Sequence, residues 1–224
     1  MDEKLSIIIP TKDRPQDLRH LLESIAVQKI KPLQIIVVDA GDISIKDFLR
    51  KFTELNIDYI RLLPASLTAQ RNAGLRKVIN EATLVGFLDD DIIFENNSIE
   101  NMLEFWRDAS QDTAGISFNL INLPFERPNF FEKAFLVNTG KTGVVLRSGF
   151  QSKTAYVKET IPVQWLPGCA TVYRKIIFDK FLFDEWFYGY AHCEDLDFSY
   201  RISKEYKLFI IKDAKTIHNT KPIE

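Results

Sequence analysis

Three short, unbroken apolar runs constrain the fold of this chain more than anything else in it: LSIII (Leu5 to Ile9), QIIVVD (Gln34 to Asp39) and TLVGFLD (Thr83 to Asp89). Runs this short and this lacking in polar alternation suit strands covered on both faces, as in a parallel sheet between two layers of helices. The segments between them supply helices. Pro15 fits a first helical turn, and Leu18, Leu21, Leu22 and Ile25 recur at helical spacing. The pattern predicts further helices over Ile43 to Phe52 and Ser66 to Asn80, a third strand over Ile57 to Leu62, and a helix marked by Ile99, Met102, Leu103 and Trp106. Alternating strands and helices with short connections imply right-handed crossovers and a doubly wound α/β unit.

In such sheets ligands bind beyond the carboxyl ends of the strands. That rule brings Thr11, Asp39 and the run Asp89-Asp90-Asp91 to one rim. The run lies in FLDDDIIF, between apolar flanks that hold it at the edge of a core. Its mutual repulsion must be relieved by a cation, by protonation, or by displacement into water. Asp89 and Asp91 are two apart, so an extended exit from the strand aims them to one side and Asp90 to the other. Carboxylate oxygens of this kind suit Mg²⁺ or Mn²⁺; a solvated acidic turn is the alternative, and the buried flanks argue against it. Asp39 is either a turn acid bonded to nearby backbone or an acceptor for a ligand base or ribose. Arg71 is either an exposed helix arginine or a residue of the same rim. Glu194, Asp195 and Asp197 suit the first turn of a helix over Glu194 to Lys204. The preceding WFYGYAH is either aromatic core or a sugar-stacking wall.

From Gly115 to Gln164 the pattern loosens into loops with short strands or a hairpin, and Leu208 to Ile211 reads as a last strand. With 224 residues, 46% of them hydrophobic, the chain suits one domain over 1–224. A net charge of −2 argues against a nucleic-acid partner bound through its phosphates. Cys169 and Cys193, with no CxxC, do not make a four-ligand zinc site and suit a reducing, cytoplasmic setting. The start, MDEKLSIIIP, is no secretory signal, and no apolar run approaches the ~18–20 residues that span a bilayer. Any membrane association is expected to be peripheral, at the inner face.

Taken in order, SIIIPTKDRP, VVDAGD, AQRNAGL, FLDDD, LPGCA, FDEWF, HCEDLDFSYR and the late His218 closely resemble the family 2 inverting glycosyltransferases with the GT-A fold. The resemblance runs from Leu5 to His218 and is weakest from Asn119 to Val163. It implies a Rossmann-like, mostly parallel sheet flanked by helices, with a nucleotide-binding half over 1–112 and a smaller mixed-sheet, acceptor-side half over 113–224. It also implies a nucleotide-diphosphate sugar donor, a saccharide or lipid-linked acceptor, Mg²⁺ or Mn²⁺, and transfer with inversion. Carried over by position, Pro10, Thr11, Asp39 and Arg71 would hold the nucleoside. Asp89 would face ribose and metal and Asp91 the metal, while Asp90 is open to either role. Gly168 would lie near the donor sugar, Asp195 would be the general base with Glu194 beside it, and His218 would complete the metal site. The chain departs from the family's usual acidic-Gly-Ser pattern at Ala40-Gly41-Asp42, and it stops six residues after His218, where many members continue into further helices. A sugar-phosphate nucleotidyltransferase and a non-catalytic glycan- or partner-binding subunit are the rival classes; PTKDRP lacks the Gly-rich basic loop of the first.

Overall fold

The computed structural model describes residues 3–123, 128–135 and 140–219. The apolar runs form β1 (Leu5–Thr11), β2 (Gln34–Asp39) and β4 (Leu84–Leu88), and β3 (Ile57–Arg61) adds an edge. They pair in the order β3-β2-β1-β4, all parallel, with Thr11 in register with Asp39. Residues of β1, β2 and β4 are buried throughout, whereas edge strand β3 is partly exposed.

Period-two alternation splits the apolar residues between two cores. Ile7 and Ile9 face one, with α1 (Pro15–Ala26) and α4 (Ser98–Asp108); Leu18, Leu21, Leu22, Ile25, Met102 and Trp106 fill it. Ile8, Ile36 and Val38 face the other, with α3 (Leu67–Leu75) and α6 (Glu194–Ser203). Gly74 lets α3 lie against β1, since a Cβ there would stand 2.4 Å from Ile8 Cγ2.

Beyond β4 the sheet continues through β8 (Ala170–Arg174), β6 (Thr113–Leu120), β9 (Lys207–His218) and β5 (Ile92–Phe94), with β7 (Ile161–Val163) also paired to β9. Strands β1 to β4, β6 and β9 share one direction; β5, β7 and β8 oppose it. The reversal of β8 matters for the site. Ala170 opposes Leu88, so the chain entering β8 arrives at the edge where β4 ends. The α/β expectation stands.

Several boundaries differ from the expectation. The helix over Ile43 to Phe52 shrinks to α2 (Lys46–Leu49): Ile43 faces solvent, while Ile45, Phe48, Leu49 and Phe52 pack against the core. The helix begun at Leu67 stops at Leu75 rather than Asn80. Gln34 draws the following chain toward β2, accepting from Ile79 N at 3.2 Å and donating to the Lys77 carbonyl at 3.0 Å. Thr113 to Leu120, assigned from Gly115 onward to the loosened region, is a fully buried strand; alternating Thr113, Gly115, Ser117 and Asn119 disguise it. Asn119 replaces the missing apolar packing by donating to the Val157 and Lys212 carbonyls. The last strand runs twelve residues, past Ile211, because pairing with β6 and β5 resumes at Lys215 beyond a register shift, with Ala214 buried in the core between. In the loosened region a bridge joins Val145 to Gln151, and α5 (Phe130–Ala134) forms a single turn or so; its residues 124–127 and 136–139 lie outside the described set.

Candidate active site

Thr11 and Asp39 end paired parallel strands, and Asp89 follows directly after β4, so all three reach one edge of the sheet. Gln70 on α3 ties this edge together, donating to the carbonyls of Thr11 at 3.1 Å and Val38 at 2.7 Å. Asp39, 1% exposed, accepts from Gly41 N at 2.8 Å and from the Tyr59 hydroxyl at 2.7 Å, with Arg61 Nη1 3.6 Å away. Pro10 is buried beside it on β1, opposite Val38.

The three aspartates separate as a turn between β4 and β5 requires. Asp90 points inward, accepting from Thr11 Oγ1 at 2.6 Å and Arg14 Nη1 at 3.3 Å. Burial pushes its carboxyl up to about 6 despite those two partners, and the neighbouring acids add to the rise. Asp89 and Asp91 face the other way and meet His218, their ligand-type atoms all within 4.8 Å of one another. The β5–β9 ladder delivers the histidine by pairing His218 with Ile92. Asn122 then pins its backbone, donating to the His218 carbonyl at 2.7 Å and accepting from His218 N at 3.0 Å.

His218 Nε2 stands 3.0 Å from Asp91 Oδ1, yet that buried oxygen accepts no well-aligned hydrogen bond. Burial opposes both charges. For Asp91 the His218 contact outweighs it and lowers the carboxyl; for His218 the carboxylates of Asp91 and Asp89 outweigh it and raise the imidazole. Burial also lifts Asp89, with Arg71 opposing and Asp91 reinforcing. Two carboxylates and an imidazole around an orphaned buried oxygen fit a divalent cation by donor type and by electrostatic need.

Arg71, the candidate for an exposed helix residue, is 1% exposed. It donates to Glu194 Oε1 at 2.7 Å, to the Gly168 carbonyl at 3.1 Å and to Asp89 Oδ1 at 3.4 Å. Gly168 lies just before β8 and donates its N–H to Asp195 Oδ2 at 2.9 Å. Leu196 N holds the other Asp195 oxygen at 2.7 Å, and the side chain stays partly exposed at the first turn of α6. Glu194 is buried, which raises its carboxyl against the pull of Arg71.

Contacts link Thr11 through Asp90 and Arg14 to Asp91 and His218, the Asp89 carboxylate stands within 4.8 Å of those last two, and Arg71 and Gly168 lead on from Asp89 to Asp195. Pro10, Thr11, Asp39, Arg71, Asp89, Asp90, Asp91, Gly168, Glu194, Asp195 and His218 share this edge. The stretch before α6 is not core: Trp186 and Tyr190 are 80% and 88% exposed. Four residues here carried no expectation: Arg14, which also reaches Asp91 at 3.4 Å, Tyr59, Gln70 and Asn122. Only Arg14 left a signal, as the cation beside Pro15 at the exit of the first strand.

The sequence matches Glycosyl transferase family 2 over residues 6–182. It is 30% identical over 218 residues to YwdF, an uncharacterized glycosyltransferase of Bacillus subtilis, covering 96% of this chain and 74% of that protein. It is 31% identical over 111 residues to GgaA, a minor teichoic acid biosynthesis protein of the same organism, covering 46% of this chain and a quarter of that one. Among solved structures, TarS of S. aureus superposes over 98% of this chain and 37% of its own with a TM-score of 0.69 at 18% identity. GalNAc-T7, solved with UDP, GalNAc and Mn²⁺, gives 0.69 over 96% of this chain and 43% of its own at 13% identity. The chain thus spans much less than the full length of several proteins it resembles. No helix among the described residues is long and apolar enough to cross a membrane. The chain belongs to glycosyl transferase family 2 and has the GT-A fold.

Proposed function

We propose that this chain moves a sugar from a nucleoside diphosphate to an acceptor hydroxyl with inversion at the anomeric carbon, assisted by Mg²⁺ or Mn²⁺. The observation that carries the reading is the contact chain joining the Asp89–Asp91–His218 cluster to Asp195 through Arg71 and Gly168. It brings two carboxylates with an imidazole, and a separate partly exposed carboxylate, to one edge.

Pro10, Thr11 and Asp39 form the nucleoside end, where backbone groups and a fixed carboxylate suit a base and ribose. TarS has been solved with UDP and with UDP-GlcNAc, which makes UDP the first nucleotide to test. Asp89, Asp91 and His218 would hold the cation, which when bound supplies charge neutralisation at a departing diphosphate. Asp90, turned inward on Thr11 and Arg14, keeps the turn in shape. With so good a leaving group no general acid is needed, in contrast to glycoside hydrolysis. A single carboxylate suffices: Asp195 takes the acceptor proton as the hydroxyl oxygen attacks the anomeric carbon opposite the diphosphate. Gly168 lets the chain pass between Arg71 and the base, since a Cβ there would stand 2.9 Å from both Arg71 Nη2 and Asp195 Cβ. A glycopolymer or lipid-linked saccharide acceptor is in keeping with the teichoic acid pathway named for GgaA.

The test is a panel of nucleotide sugars with Mn²⁺, scored for release of nucleoside diphosphate, with thermal unfolding alongside. UDP at ~100 Kd with Mn²⁺ is expected to stabilise the fold by about 2.7 kcal/mol. No stabilisation by UDP, GDP or dTDP, together with no turnover of any donor, rejects the reading.

A further inference from the structure

Arg71 is placed unlike a ligand-binding arginine. Its guanidinium lies 5.1 Å from the centre of the Phe183 ring and is closed off from solvent, and even its unpartnered Nε is enclosed. The terminal nitrogens are spent on protein: Glu194 at one, Gly168 and Asp89 at the other. A charge enclosed this completely persists only where fixed partners replace its hydration. Burial acts against the charged form, but Asp89, Glu194 and Asp195 overcome it and hold the guanidinium protonated.

The three contacts join parts of the chain far apart in sequence, alongside the backbone bond from Asp89 N to the Cys169 carbonyl at 2.9 Å. Asp89 leaves β4, Gly168 precedes β8, and Glu194 opens α6. Gly168 is the middle link, its carbonyl accepting from Arg71 and its N–H donating to Asp195 Oδ2. The space it occupies is tight on both sides, with Arg71 and Asp195 each 2.9 Å from where a Cβ would stand. Any shift of the guanidinium therefore moves the Gly168 backbone, and with it the N–H that orients Asp195.

We infer that Arg71 is a positioning residue, which through Gly168 and Glu194 sets the Asp195 carboxylate relative to Asp89, and does not itself hold the nucleoside. The inference rests on Asp195 being the base. It separates two quantities that a donor-binding arginine would change together. Nucleotide affinity depends on the rim at Pro10, Thr11 and Asp39 and on the cation cluster, none of which Arg71 reaches except at Asp89. Turnover depends on where Asp195 stands, and a displacement of about 1 Å is enough to cost ~10²-fold. A lysine at 71 keeps the charge but not the planar fork, so it serves Glu194 or Gly168 and not both.

The experiment compares wild type, Arg71→Lys and Arg71→Ala for UDP affinity by calorimetry and for kcat at saturating donor, both at saturating Mn²⁺, so that any weakening of Asp89 as a cation ligand enters neither quantity. The expected result is UDP affinity within about threefold of wild type in Arg71→Lys, with kcat down by ~10²-fold or more. In Arg71→Ala, added guanidinium ion at low millimolar concentration is expected to restore part of kcat, whereas methylammonium is not. A merely structural loss would not show that selectivity. If Arg71→Ala fails to fold, Arg71→Lys decides alone. UDP affinity falling in step with kcat in Arg71→Lys, or kcat unchanged, overturns the inference. Wild-type protein that turns over no donor rejects instead the function on which it rests.

Discussion

Asp195→Asn is expected to lose at least ~10²-fold in transfer while its UDP affinity stays within about threefold of wild type. The variant keeps the size and shape of the side chain and an oxygen to accept one of the two backbone N–H groups, from Gly168 at 2.9 Å or Leu196 at 2.7 Å. It removes the one property a base needs, a lone pair that becomes a bond to hydrogen at neutral pH. Among the described residues no donor-side group hydrogen-bonds the Asp195 carboxylate except Gly168, so nucleotide binding has no reason to change. The comparison is steady-state kcat against calorimetric affinity on the same preparation. Turnover equal to wild type would take the proton-accepting role away from Asp195. Equal losses in both quantities would make it a donor ligand.

Asp91→Asn carries the second large effect, at the other end of the contact chain. Asp91 Oδ1 is a buried carboxylate oxygen with no well-aligned donor, 3.0 Å from His218 Nε2, and Asp89 stands in the same cluster. An oxygen in that state is stabilised by a cation more than by any neutral partner, and an amide cannot replace its charge. Changing groups that merely orient metal ligands costs ~10–100-fold in metal affinity, so loss of a ligand itself should cost at least ~10²-fold. Titration of Mn²⁺ by electron paramagnetic resonance, with and without UDP, measures this without relying on turnover. Mn²⁺ affinity unchanged from wild type would mean that the cluster is an internal ion-pair network and holds no metal.

The parallel half of the fold was legible because LSIII, QIIVVD and TLVGFLD are strands whose both faces are apolar, and few other arrangements accommodate them. The rim followed from that, since strand ends carrying Thr11, Asp39 and Asp89 must arrive together in a parallel sheet. Legibility failed where polar residues sit inside. Thr113 to Leu120 is buried throughout, but Asn119 and Ser117 satisfy themselves by hydrogen bonds that a hydrophobic pattern does not record. The last strand continues through Lys212, Asp213 and Lys215 across a register shift against β6, where Asn119 and Asn101 donate to the Lys212 and Asp213 carbonyls and Ala214 is buried. Arg71 failed for a related reason: an arginine inside a short helix looks solvent-facing until the acids that bury it, over a hundred residues away in the case of Glu194, are brought alongside. The family resemblance named the site's members by position. The contacts among them, above all the Arg71–Gly168–Asp195 relay, came only with the folded chain.

Crystals grown with UDP and Mn²⁺, measured for anomalous scattering at the manganese edge, test the central claim most directly: that separate strand ends assemble one cation site for a nucleoside diphosphate. The expected map has a manganese peak bordered by Asp89, Asp91 and His218, with the diphosphate of UDP against it and the base toward Asp39. UDP bound at this edge with no manganese peak in that cluster, or manganese held elsewhere on the chain, would contradict it.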